Sequence, residues 1–316
     1  MIRRFLVVIL LGTSILSILL VAPFRMRENI AEGAWIGEWP NASLHNLEKY
    51  EAKTTRKMDI IHTFVNTNHN LSHFQAAIDY VHDYGSINLL TLEPIKKSGG
   101  GYNTVEIANG ALDDYFHKMA YDLKNWQNGS EIWIRFMHEA NGNWYSWGLG
   151  DHTENTNETY KSAYQRMVQI FRNEQAMNVK FIYNVNCENV GKGASFIGAY
   201  PGDDYVDMLS IDGYNWGESR KAGNWRTFGE VFGNSYHALK SISHKPILIT
   251  ELSSSENGGN KANWIKNAFQ EIASNRYRQI SAMIWFYENK EVDWRFDSSK
   301  LAEVSYQQEG RVLFNK

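Results

Sequence analysis

The segment Glu131–Gly148, EIWIRFMHEANGNWYSWG, concentrates side chains that can do chemistry. Its apolar run Ile132–Met137 reads as a buried strand that delivers His138 and Glu139 to a loop holding Asn141, Asn143, Trp144, Tyr145 and Trp147. A carboxyl group at a strand end can give and take protons, and flat rings beside it can stack on the apolar faces of pyranoses. The plainer alternative is a glutamate that only caps the next loop. A second carboxyl in a comparable setting, Glu251, follows the run Pro246–Thr250, 112 positions further along. Paired carboxyl groups hydrolyse glycosides with retention when about 5–5.5 Å apart and with inversion when about 6.5–9.5 Å apart. The residue types point to sugar chemistry.

The elements that must position these groups are legible as apolar runs alternating with helical patterns. Candidate strands are Ala34–Gly37, Met58–Val65, Ile87–Leu92, Glu131–Met137, Val179–Val185, Val206–Ile211, Pro246–Thr250 and Ile280–Phe286. Apolar spacing of the helical period covers Leu71–Tyr84, Leu112–Trp126, Asn157–Gln175, Thr227–Ser241 and Asn260–Ala273, with Ser72 and Asn157 as candidate N-caps. Near-continuous apolar strands are those of a parallel sheet buried on both faces. Eight β-then-α units predict a (β/α)8 barrel, and no GxGxxG follows the first strand to suggest a dinucleotide fold. Active groups of such barrels lie at the C-terminal strand ends. Those ends carry Trp35, Glu38, Asn66, Asn68, Glu93, Arg135, His138, Glu139, Asn184, Asn186, Glu188, Asp212, Tyr214, Trp216, Glu251, Trp285, Tyr287 and Glu288. Strands four and seven face each other across the mouth, which sets Glu139 opposite Glu251.

Composition bounds the rest. A chain of 316 residues, 43% hydrophobic and 21% charged, can bury a large core. A net charge of −3 favours neither nucleic acid nor an acidic membrane surface as partner. Eleven Trp and 17 Tyr, many beside Asn and acidic residues at strand ends, favour a carbohydrate cleft. Cys187 is the single cysteine, so neither an intrachain disulfide nor a cysteine zinc site is available. No cofactor or metal is expected, and a monomer is. Residues 1–28 read as a signal peptide or N-terminal membrane anchor: Arg3 and Arg4 precede an uncharged run from Phe5 to Ala22, and Pro23 and Phe24 interrupt the place for cleavage. Residues 29–316 are then an exported catalytic domain, secreted or tethered to the outer face of the membrane.

Four motifs, RFMHEANGNWYSWG, LSIDGYNWG, PILITEL and WFYENKEVDWRFDSS, together resemble glycoside hydrolase family 26, a family of retaining (β/α)8 glycosidases, over roughly Trp35 to Ser299. The resemblance implies that Glu139 is the general acid/base and Glu251 the nucleophile. It implies that His138 contacts the substrate, Tyr214 hydrogen-bonds the nucleophile, Trp285 is the aromatic platform at the cleavage point and Trp144 a second aromatic wall. Asn186 and Trp216 join these as substrate-binding positions, Arg135 as a buried partner for the carboxylates, and Glu93 as a partner of Arg135 or of the far end of the sugar. The acid must stay protonated near neutral pH, which the apolar rings of Trp144 and Trp147 and an ionised Glu251 would favour. The expected activity is retaining endo-β-glycan hydrolysis, on β-1,4-mannan or mixed-linkage β-1,3-1,4-glucan, with the cell's own exopolysaccharide as a further possibility. A non-catalytic polysaccharide receptor on the same barrel is the alternative from another class. A metal-dependent hydrolase using His62, His138 and Glu139 is a third, although HEANG lacks the second histidine of a short-spaced ligand set.

Overall fold

The computed structural model describes residues 30–38, 42 and 44–314. Eight parallel strands close into a barrel in chain order, β1 pairing with β8. They are β1 (Ala31–Glu38), β2 (Ile60–Asn66), β3 (Ile87–Glu93), β4 (Ile132–Phe136), β5 (Val179–Asn186), β6 (Met208–Asn215), β7 (Ile247–Ser254) and β8 (Ile280–Trp285). Around them lie α1 (Leu44–Thr54), α2 (Gln75–Asp83), α3 (Thr104–Ala108), α4 (Asp113–Lys124), α5 (Asn157–Asn173), α6 (Phe228–Ile242), α7 (Lys261–Ala273) and α8 (Lys300–Leu313). The eight expected strands all correspond to these. The helices depart from a strict repeat: β3 and β4 are joined through both α3 and α4, whereas no α-helix lies between β5 and β6 among the described residues. The expected leader, residues 1–28, lies outside the described residues.

Helix starts follow local capping chemistry. The Thr156 side chain accepts from Thr159 N at 3.1 Å, so Asn157 is the first helical residue of α5 and not its cap. Ser72 falls within a 3-10 turn, Leu71–His73, and α2 begins only after Phe74. Thr227, Asn260 and Ser299 cap α6, α7 and α8 in the same way, each satisfying an otherwise orphaned amide.

Strand alternation sorts side chains into two cores. Outside the sheet, residues such as Ile61, Leu90, Ile134, Phe181 and Ile249 pack against the helices. Inside the barrel, Ile60, Leu89, Ile182, Met208, Leu248 and Ala282 form a separate apolar cluster. Above it lies a buried polar layer of His62, Thr91, Arg135, Asn184, Ser210, Asp212 and Thr250. An apolar plug under a polar layer leaves the chemistry at one end of the barrel.

Candidate active site

Arg135 is the hub of that layer. Completely buried on β4, it donates to Thr91 Oγ1 (2.6 Å), Asp212 Oδ2 (2.5 Å), Thr250 Oγ1 (3.2 Å) and Glu251 Oε1 (2.6 Å). Burial alone would favour the neutral guanidine, but the charges of Asp212 and Glu251 outweigh it and hold the proton more tightly than usual. Removing Arg135 would strand two buried carboxyl groups, a loss of about 3–5 kcal/mol for a pair of this kind. The arginine fixes the height and orientation of Glu251 in the mouth.

How Glu251 reaches that arginine depends on a fault in the ladder. Strict alternation along β7 would place Thr250 and Glu251 on opposite faces. The register between β6 and β7 slips between Ile211 and Asp212, so that Ile211 faces Ile249 while Asp212 faces Glu251. The bulge brings consecutive side chains to the same guanidinium, Thr250 also donating to Asp212 Oδ1 at 2.6 Å. The second oxygen of Glu251 accepts from the Tyr214 hydroxyl. Burial, then the Glu251 charge, pushes the Tyr214 phenol well up from its ordinary value, so it remains a donor.

Glu139 sits differently. Beyond β4, Met137 and Glu139 both adopt left-handed backbone, with φ of 49° and 52°. Non-glycine residues pay about 1–3 kcal/mol for such conformations and hold them where the surroundings over-determine them. Here Tyr160 of α5 donates to Met137 O at 2.6 Å, Trp147 Nε1 to His138 O at 2.8 Å, and Glu139 N to Asn184 Oδ1 at 2.6 Å. The turn aims the Glu139 carboxyl into the mouth, where Asn186 Nδ2 and Trp144 Nε1 each donate to one oxygen at 2.6 Å. Burial first, and then the Glu251 charge, raises its pKa to about 7, against the pull of those two donors. One carboxyl is therefore held by a cation and a phenol, the other by neutral donors in a dry setting.

Both carboxyl groups line one cleft of about 420 Å³, with Phe64, Trp144, Tyr145, Asn186, Tyr214, Trp216, Phe286 and Trp294 among its walls. Trp144 is 45% exposed and overhangs the mouth. Trp216 meets Trp294 edge to face at 4.8 Å, and Trp294 lies 4.9 Å from Tyr214. Trp285, expected as the platform, is not in this cleft. It is fully buried outside the sheet, 5.3 Å from Tyr306 and 6.2 Å from Trp264, because strand alternation turns it toward α7 and α8. Its neighbour Phe286 and the later Trp294 supply the rings instead, and Trp285 Nε1 donates to Trp294 O at 2.8 Å. Sequence reasoning passed over Trp294, which stands in the same motif.

His138 is buried beneath Tyr145, its Nε2 2.9 Å from the Tyr145 hydroxyl, and is not part of the cleft wall. Burial followed by the Arg135 charge lowers its pKa well below the usual range, leaving a neutral imidazole. Glu93 is not paired with Arg135, whose donors are committed to other groups. The three residues of the metal-dependent alternative have separate partners: His62 Nε2 is 2.8 Å from Thr91 Oγ1, His138 faces Tyr145, and Glu139 holds Asn186 and Trp144.

Known proteins resemble this chain over different shares of its length. "Endoglucanase H" of Acetivibrio thermocellus is 47% identical over 278 residues, 87% of this chain and 30% of its own length. A "Mannan endo-1,4-beta-mannosidase" of Bacillus subtilis strain 168 is 26% identical over 147 residues, 45% of this chain and 36% of its own. The chain thus spans about a third of the length of these relatives. Among solved structures, a Bacillus subtilis mannanase superposes with a TM-score of 0.66 at 20% identity, covering 91% of this chain and 87% of its own. A GH26 β-mannanase from Bacteroides ovatus gives 0.65 at 16%, covering 92% of each; both likenesses concern the fold. Residues 102–283, which include both glutamates, match the family described as Glycosyl hydrolase family 26. The chain belongs to glycosyl hydrolase family 26.

Proposed function

We propose that the chain is a retaining endo-β-glycanase in which Glu251 is the nucleophile and Glu139 the acid and base. The observation that carries this reading is the contrast between two identical side chains in one cleft: Glu251 gripped by Arg135 and Tyr214, Glu139 desolvated beside neutral donors with a pKa of about 7. In the first step Glu251 attacks the anomeric carbon and the glycosidic C–O bond breaks, its oxygen taking the Glu139 proton. The charge on Glu251 disappears into the ester, which removes the second cause of the raised Glu139 pKa. Glu139 is then poised as a base: it takes a proton from water, the hydroxyl attacks the anomeric carbon, and Glu251 leaves as carboxylate.

The endoglucanase relative supports a β-glucan substrate, and the mannosidase relatives keep β-1,4-mannan in view. The uncharged run Phe5–Ala22 behind Arg3 and Arg4 supports export, with the enzyme secreted or held at the outer face of the membrane. The test is reducing-sugar release from barley-type β-glucan, mannan, glucomannan, β-1,3-xylan and exopolysaccharide of the source cells. Release from one of these, abolished in Glu251→Ala, is the expected result. Binding without release on all five would instead make the chain a polysaccharide receptor.

A further inference from the structure

Lys261 stands where stability alone would not put a cation. It is the first residue of α7, at the helix end whose amides already present positive charge, and it is completely buried. Burial, joined by the charge of Arg295, outweighs the attraction of Glu256, Asp293 and Asp297 and lowers its pKa to about 8. An apolar side chain of similar length would fill the space without that cost. The ammonium directs all three of its donors to one stretch of chain: Asp293 O (3.1 Å), Arg295 O (2.6 Å) and Ser298 Oγ (2.9 Å). The two carbonyls flank Trp294. The carbonyl between them, that of Trp294 itself, accepts from Trp285 Nε1 at 2.8 Å and from Ser253 Oγ. Side chains of β7, β8 and α7 thus hold three consecutive carbonyls, and Ser298 Oγ in turn donates to Glu256 Oε1 at 2.8 Å in the loop after β7. The segment held this way reaches the chemistry. Lys290, Glu291 and Trp294 line the cleft, and the Trp294 ring lies 4.9 Å from Tyr214, the donor to Glu251.

We infer that Lys261 is a positioning residue for substrate binding: by fixing the backbone on both sides of Trp294, it sets the place of that ring in the wall of the cleft. The inference rests on the retaining-glycanase reading. Lys261 is not itself part of the cleft wall, so it acts through the loop it holds. Without the ammonium, two carbonyls lose their donor and turn toward water, and the indole between them moves. A wall that touches the sugar both before and during bond breaking stabilises the two states alike. Its displacement therefore raises KM and leaves kcat in place.

Steady-state kinetics on the whole chain compare wild type with Lys261→Met, Ser298→Ala, Trp294→Ala and the double variant Lys261→Met with Trp294→Ala. The substrate is whichever of the five polysaccharides named above wild type cleaves. The expected result is a KM raised about tenfold in Lys261→Met, with kcat within about twofold of wild type. Ser298→Ala, which removes one acceptor of the three, should raise KM about two- to threefold. In the Trp294→Ala background, Lys261→Met should change KM by less than about twofold, because the ring it places is gone. A purely structural lysine would lower the melting temperature without this dependence on Trp294. Wild-type KM in Lys261→Met, an equal rise in both backgrounds, or a loss confined to kcat overturns the inference and leaves the glycanase reading standing. Should Lys261→Met fail to fold, Ser298→Ala with and without Trp294→Ala decides by the same criteria. A wild type that cleaves none of the five overturns the glycanase reading and this inference with it.

Discussion

At the residue scale, the same side chain acquires two chemistries from its surroundings. In the proposed mechanism Glu139 acts as an acid only while protonated, so with a pKa of about 7 activity should fall as pH rises through that value. The Asn186 amide bonds the ionised form and so pulls that pKa down. Asn186→Ala should therefore move the alkaline limb of the kcat/KM profile upward. A limb that stays in place or moves down would detach Asn186 from the acid. The strand-end positions of both glutamates were readable from apolar runs ending in acid. The roles of His138 and Trp285 were not. One buried behind a tyrosine and one turned outward differ from cleft residues only by strand parity and by the turn that follows, and neither leaves a trace in composition.

At the element scale, irregularities do the aiming. The bulge in β7 turns Glu251 inward, and the left-handed backbone after β4 turns Glu139 inward. Neither was legible, since a bulge is one extra residue whose only signature is a register that sequence does not display. The loops after β4 and β5 also touch closely at Gly150, where an added Cβ would stand 1.8 Å from Val190 O. Gly150→Ala should cost about 1–3 kcal/mol in a denaturant titration, as overpacking against rigid backbone does. An unchanged midpoint would mean that the loops separate freely. The loop after β8 has a different support. Lys261 of α7 donates to Asp293 O (3.1 Å), Arg295 O (2.6 Å) and Ser298 Oγ (2.9 Å), and Trp285 donates to Trp294 O. Trp285→Ala should therefore destabilise the fold by about 3–5 kcal/mol, the usual result for a buried large-to-small change. Trp294→Ala, at a ring that is 2% exposed yet lines the cleft, should also cost stability, but of the two it alone should weaken oligosaccharide binding as well, by about 1–3 kcal/mol. The reverse pattern would return Trp285 to the cleft.

At the scale of the whole molecule, closure into an eight-stranded barrel is what makes residues far apart in sequence meet. The eight apolar runs were sufficient to read it, because strands buried on both faces carry no competing polar alternation. The helix layer was less regular than the repeat suggested. The β5–β6 connection lacks a helix, and its residues Glu188 and Val190 line the cleft instead. A connection freed from packing on the sheet can serve as a wall for substrate. A net charge of −3 and a cleft whose arginines are paired with Glu188 fit a neutral polymer. The central claim is that the bond is cleaved through an ester on Glu251. Proton NMR of the first product released from the polysaccharide that the enzyme cleaves tests it most directly. The account predicts that the β anomer appears first and mutarotates afterwards, and initial appearance of the α anomer would contradict it.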